Sequence, residues 1–341
     1  MTAPTGGKVF VCRDHVLVAV LDALSRDLQS AGVEVVRGPP SIPGITTVIP
    51  PADYARIFGD VEVALFTSRT SVPRSLLESA PRLRGIVNLG VGLETMDLEA
   101  ADELGIVVGY GATPENTLGM AEATVMLMLN LRYRLRATEA VLRGERPRPA
   151  ASAEAQHGRM LRGCTVGVVG LGRIGRAVVD RLRPFGVEFI AYAPTARADS
   201  VPADVALVDF DALMQRSDIV GLFAAAHPGN RRLVDARALS LMKPDAYLVN
   251  IARGQLVDEA ALYEVLRDRR IAGAALDVFE TEPLPKDSPL RTLDNAILTP
   301  HLVGHTRELY EAMGRTAFEN VTRLLRGEAP LYARPSARPA R

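Results

Sequence analysis

Short runs of aliphatic and β-branched residues recur along the chain at 8–12, 33–36, 63–67, 85–89 and 106–108, then again at 166–170, 187–192, 219–223, 247–251 and 273–278. Amphipathic stretches of helical length separate them. Apolar strands without a solvent face, joined by helical crossovers, predict parallel sheets covered on both sides: a doubly wound α/β architecture. The two sets of runs predict two such sheets. Between the sets, 116–143 keeps a near-continuous helical pattern, too long for an ordinary connector, and is expected to bridge the domains. The following 145–157 stretch, with Pro147, Pro149 and a run of small residues, has no apolar face and reads as a projecting arm that could touch a second copy. The end of the chain, 330–341, holds little that is apolar and is expected to be frayed or disordered from 331 onwards.

The 341-residue length agrees with two domains. Its 40 basic and 40 acidic side chains cancel, which removes any chain-wide field for nucleic acid or an anionic membrane surface. No run approaches the roughly 18 apolar residues of a spanning helix, and no signal peptide is visible at the start, so a soluble, cytoplasmic protein is expected. Cys12 and Cys164 lie in or beside strand-like runs and read as core residues rather than a disulfide or zinc framework.

The most specific local signal is an apolar strand at 166–170 running into Gly170-Leu-Gly172-Arg173-Ile174-Gly175 and then a helix. In that context the three glycines have distinct uses. Gly170 permits the tight turn, Gly172 lets the backbone approach a pyrophosphate, and Gly175 lets the helix pack on the sheet. The helix N-terminus adds N–H donors and partial positive charge. A dinucleotide site follows. An acid that would accept bonds from the adenosine ribose is expected at the end of the next strand, yet Tyr192 is followed by Ala193. Its absence removes a bar against a 2′-phosphate, so NAD or NADP is expected with a slight lean to NADP, Thr195 and Arg197 being candidate phosphate ligands. Asp199 is a weaker candidate for the missing acid.

Three polar stretches sit at or beyond predicted strand ends: Asn250-Ile251-Ala252-Arg253-Gly254, Asp277 to Glu282, and Thr299-Pro-His301. Ligands of open α/β sheets bind at the carboxyl ends of strands, so these residues are placed to converge where a nicotinamide would lie.

With the dinucleotide turn, Val257-Asp258-Glu259 and the Ala275-Leu-Asp-Val-Phe-Glu-Thr-Glu-Pro283 run, these motifs resemble the D-isomer-specific 2-hydroxyacid dehydrogenases over about residues 63–327. The resemblance implies a flavodoxin-like substrate domain (1–110 and 300–330) with an inserted dinucleotide-binding Rossmann domain (111–299), hinges near 109–113 and 299–300, a site in the cleft, and a homodimer. It implies Arg253, Glu282 and His301 as the catalytic arginine, glutamate and histidine, with Gly90-Val91-Gly92 and Arg253 binding the substrate carboxylate. Cofactor contacts are implied for the glycine turn, Ala225, Ile251, Ala252, Asp277 and Gly304. A small 2-keto or 2-hydroxy acid is the expected substrate, as in glyoxylate and hydroxypyruvate reductases, and no metal is expected despite the second histidine, His305. His15, His157 and His227 read as surface or packing residues.

Departures shape that expectation. The stretch after 219–223 reads Phe223-Ala-Ala-Ala-His-Pro228 instead of the family's usual run. Thr67 stands before Ser68 where phosphoglycerate dehydrogenases carry a basic residue, and Arg69 follows two positions on. A regulatory C-terminal domain is not present in this sequence, and with these points it weighs against 3-phosphoglycerate. Glu at position 282, in place of Gln, separates the chain from formate dehydrogenases. Two other readings use the same scaffold: a nucleotide-sensing protein like the family's corepressors, and a phosphite or formate oxidiser.

Overall fold

The computed structural model describes residues 6–150 and 157–335, apart from the side chain of Ala198. It divides into two compact units, Met1–Asn116 with His305–Arg341, and Thr117–Gly304. Each is built on one parallel sheet flanked by helices, and no described helix is long and apolar enough to cross a membrane.

In the first unit, β1 (Lys8–Val11), β2 (Glu34–Arg37), β3 (Val63–Phe66), β4 (Gly85–Asn88) and β5 (Val107–Tyr110) stand in the order β2-β1-β3-β4-β5, the flavodoxin-like arrangement. Its crossovers are α1 (Val18–Ser30), α2 (Tyr54–Phe58), α3 (Arg74–Glu78) and α4 (Leu98–Glu103). The central strands β3 and β4 are buried along their whole length, as the continuous apolar runs predict. Phe10, Phe58 and Phe66 pack ring against ring in this core, with Phe10 centroids 4.7 and 5.3 Å from the other two.

The second unit receives α5 (Pro114–Arg132), which starts in the first, and continues with α6 (Leu135–Leu142). Its sheet comprises β6 (Thr165–Val169), β7 (Glu188–Tyr192), β8 (Val205–Leu207), β9 (Ile219–Leu222), β10 (Tyr247–Asn250), β11 (Gly273–Leu276) and β12 (Ala296–Leu298) in the order β12-β11-β10-β9-β6-β7-β8. The helices α7 (Arg173–Leu182), α8 (Phe210–Arg216), α9 (Ala236–Leu241) and α10 (Glu259–Arg267) connect them. The order reverses beside β6, the strand that carries the glycine turn. The last helix, α11 (Arg307–Leu325), returns to the first unit and buries Leu309, Met313, Ala317, Val321 and Leu324, one stripe at helical spacing. Gly85 is open on that side because a Cβ there would lie 2.7 Å from the Leu324 side chain.

The expected helix over 116–143 is two helices, since Arg134 adopts a left-handed φ of 53° between α5 and α6. The edge strands β8 and β12 are three residues each, too short for their runs to stand out, and β5 lies slightly beyond the expected 106–108. Residues 331–335 are tied to the first sheet: Tyr110 N–H donates to the Tyr332 carbonyl at 3.0 Å and Arg334 N–H to the Val108 carbonyl at 2.8 Å, extending the sheet beyond β5. Residues 336–341, and 151–156 of the expected arm, lie outside the described residues. Cys12 and Cys164 are both buried, and burial pushes the Cys12 thiol up to about 12.

Candidate active site

The carboxyl edge of the second sheet is where the polar motifs gather, and each is held by its neighbours. Beyond β10, the buried Asn250 donates to the Arg253 carbonyl at 2.9 Å and accepts from Ala252 N–H at 3.1 Å, so one amide shapes the turn that presents Arg253. Gly254 completes it. A Cβ there would lie 1.9 Å from the Phe279 carbonyl carbon, so the loops after β10 and β11 meet backbone to backbone only because residue 254 is glycine. Asp258 caps α10 by accepting from Ala261 N–H, while Glu259 accepts from Glu280 N–H and thereby tethers the Glu280–Glu282 segment.

Within that segment Glu282 Oε1 accepts from Phe279 N–H at 3.0 Å and Oε2 lies 2.7 Å from His301 Nδ1. His301 sits at φ 57°, a sparsely populated conformation for a non-glycine residue. Buried Asp277 holds the backbone that follows, accepting from Leu302 N–H at 3.0 Å and Val303 N–H at 3.2 Å. Burial would raise the Glu282 carboxyl, but the His301 hydrogen bond and charge, the Phe279 N–H and the Arg253 charge together hold it below the usual range. For Asp277 burial wins over its hydrogen bonds and the carboxyl is raised. Glu259 is raised as well, by burial and then by the charges of Glu280 and Glu282.

At the β6 turn, Gly170 has φ 95° and a Cβ there would collide with Ala224 N at 2.6 Å. Gly175 faces the Gly170 carbonyl at 2.3 Å from its Cβ position, so α7 runs close to the turn. Gly172 caps α7 and faces open space, with nothing within 4 Å of its Cβ position, which suits the approach of a ligand rather than of protein. Beside Arg173, Arg176 bonds Ser200 across the turn. Arg197 is 83% exposed, and its fork lies on Asp199 at 3.2 and 3.1 Å, so the candidate phosphate ligand and the candidate acid pair with each other. Thr195 is exposed, and Ala225 accepts at its carbonyl from Asn230 at 2.9 Å. Ile251 and Ala252 are buried, and Gly304 is closed by Met120, whose Sδ would lie 2.0 Å from a Cβ. His305 bonds the Tyr310 hydroxyl at 2.8 Å within the first unit, and His227 caps a surface turn.

The first unit has its own polar edge. Buried Asn88, the last residue of β4, donates to the Gly90 carbonyl at 2.9 Å and the Gly92 carbonyl at 2.8 Å. Gly111 N–H also donates to Gly90 at 2.9 Å. These bonds fix the shape of the Gly90-Val91-Gly92 loop. Asn88, Asn250, Gly254 and Glu259 have no catalytic role in the sequence reading; a polar residue or glycine at a strand end beside a candidate loop was the available signal.

Comparison with known proteins sharpens the class that this fold and turn define. The profile of the D-isomer specific 2-hydroxyacid dehydrogenase NAD binding domain matches residues 125–303. D-3-phosphoglycerate dehydrogenase of Methanocaldococcus jannaschii is 41% identical over 273 residues, 79% of this chain and 51% of that protein. (S)-Sulfolactate dehydrogenase of Chromohalobacter salexigens is 38% identical over 279 residues, 80% and 88% of the respective chains. The solved NADPH-dependent glyoxylate/hydroxypyruvate reductase of Sinorhizobium meliloti, in complex with citrate, superposes with TM-score 0.77 at 28% identity, covering 97% of this chain and 98% of that one. The chain therefore belongs to the D-isomer specific 2-hydroxyacid dehydrogenase family. It spans about half the length of the phosphoglycerate dehydrogenase and most of the sulfolactate dehydrogenase.

Proposed function

We propose that the protein is an NAD(P)-dependent D-2-hydroxyacid dehydrogenase that reduces a small 2-keto acid. The observation that carries this reading is the His301–Glu282 contact at 2.7 Å, with Glu282 itself anchored by Phe279 N–H and biased toward its ionised form by Arg253. A bound nicotinamide dinucleotide supplies or accepts the hydride at C2. The Gly172 approach and the N-terminus of α7 suit its pyrophosphate. Glu282 engages His301 Nδ1, which leaves Nε2 to give a proton to the C2 oxygen on reduction and to remove it on oxidation. Arg253, a planar fork of donors, stabilises the negative charge that gathers on that oxygen and binds the carboxylate. The N–H groups of 90–92 are further carboxylate donors, and Asp277 is both the anchor of the His301 loop and the acceptor for the carboxamide.

The Ala193 position supports acceptance of NADP beside NAD, because no acid follows Tyr192 to repel a 2′-phosphate. Arg197 can exchange its exposed Asp199 partner for that phosphate, since a surface pair is worth little. A homodimer through the second unit is supported by large exposed apolar residues on and beyond α5 and α6: Met126, Tyr133, Leu135, Leu142 and Met160.

Initial rates of NADPH and NADH oxidation with glyoxylate, hydroxypyruvate, pyruvate and phenylpyruvate test the proposal. The expected result is turnover of at least one acid, reduced about 10²- to 10⁴-fold in His301→Ala with cofactor binding retained. Cofactor binding without turnover of any 2-keto acid refutes the reading.

A further inference from the structure

The second unit holds a cleft of about 430 Å³ at the amino edge of its sheet, the end away from the glycine turn and the candidate catalytic motifs. Apolar residues line it where the strands begin: Tyr247 opens β10, Ile271 precedes β11 and Ile297 lies in β12. Five arginines, Arg134, Arg136, Arg146, Arg159 and Arg269, line it as well, against two aspartates, Asp245 and Asp294, which leaves an excess of three positive charges.

Internal pairing does not account for these arginines. Arg146 and Arg269 share the one carboxylate of Asp294, and Arg159 pairs with Asp245. Arg136 donates through Nη1 to the Ala296 carbonyl at 2.7 Å and has no carboxylate partner among the described residues. The three ion pairs are solvent-exposed, so the guanidinium groups can pass to a more highly charged anion at little cost. Backbone conformation points the same way. Among the described residues four non-glycine positions have a left-handed φ, and two of them, Arg134 at 53° and Arg269 at 55°, line this cleft. Arg269 follows the C-terminus of α10, where Arg270 N–H bonds the Val265 carbonyl at 2.9 Å, a helix-ending turn that favours glycine. Arginine at such a position costs the fold something, which its side chain must return in another way.

We propose that this cleft binds a small polyanion, a phosphate or polycarboxylate with at least two charged groups, at a site separate from those of the dinucleotide and the 2-keto acid. Guanidinium forks match the oxygens of both anion types, and a cleft dominated by one sign of charge concentrates counter-ions. The arginines come from separate segments, so a single anion bridges them and stabilises the second unit.

Calorimetric titration of the whole protein with pyrophosphate and with citrate, under saturating NADH so that the glycine turn is occupied, tests the proposal. Expected for at least one probe is one saturable site per chain, weakened about tenfold or more in Arg136→Gln and in Arg269→Gly and unchanged in Arg253→Gln. Arg269→Gly relieves the left-handed arginine, so without anion it should unfold at or above the wild-type temperature while gaining less from the probe. No saturable site for either probe, or full retention in either cleft variant, overturns the proposal. Loss in Arg253→Gln places the anion at the catalytic arginine and overturns it too. A fall in particle mass in Arg136→Gln, with no anion bound by wild type, assigns the cleft to a contact between two copies of the chain, again against the proposal.

Discussion

Two buried aspartates, one at the carboxyl edge of each sheet, respond to burial in opposite ways. Asp14 in the first unit is held below the ordinary carboxylate value because the Arg69 charge and the Thr67 and Val16 hydrogen bonds outweigh desolvation. Asp277 in the second unit is raised, because desolvation exceeds what Thr299, the backbone N–H groups and the His301 charge return. The lesson is about what each edge is for. N–H donors hold a carboxylate in place without stabilising its charge fully, which suits an anchor for the His301 loop. A neighbouring guanidinium does stabilise the charge.

The largest effect should come from the backbone contact that organises the second edge. Gly254→Ala forces a Cβ into the Phe279 carbonyl and is expected to cost about 3 kcal/mol or more, read as the shift of the urea unfolding curve. A shift below about 1 kcal/mol would mean that the two loops can separate freely.

The aspartates themselves give a smaller but more telling contrast. A depressed carboxyl contributes stability above its unfolded value and loses it as pH falls through the folded one, so the cost of Asp14→Asn, about 1–3 kcal/mol at pH 7, should shrink on acidification from pH 5 downward. A raised carboxyl works the other way. The folded protein binds the proton more tightly, so wild type should gain on Asp277→Asn as pH falls from the folded Asp277 value toward the usual carboxylate range. Parallel pH trends for the two variants would break the comparison.

Smallest of all is the expected effect at the exposed loop. Arg197→Ala should change the NADPH to NADH preference by less than about tenfold in kcat/KM, since the side chain is exposed and already shared with Asp199. A larger loss, specific to NADPH, would raise Arg197 to the main 2′-phosphate ligand.

Much of the molecule could be read from the chain because its signals are local. The glycine turn owes its pattern to contacts within a few residues or with the adjacent strand, and the apolar runs report burial directly. What escaped notice depends on distant partners. Nothing near position 14 announces that its carboxylate meets Thr67 and Arg69. The role of Glu259 was hidden for the same reason, as its acceptor faces Glu280 on the next loop. At 331–335 composition misled: the polar residues suggested fraying, while the backbone had a strand edge to pair with.

The return of α11 to the first sheet has a consequence for biosynthesis. Between Asn116 and His305 the ribosome must make 188 residues, about 10–40 s of elongation, before the helix that covers β3 and β4 exists. Throughout that interval the nascent first sheet lacks the helix that covers β3 and β4, so the oldest part of the polypeptide is the last to be finished.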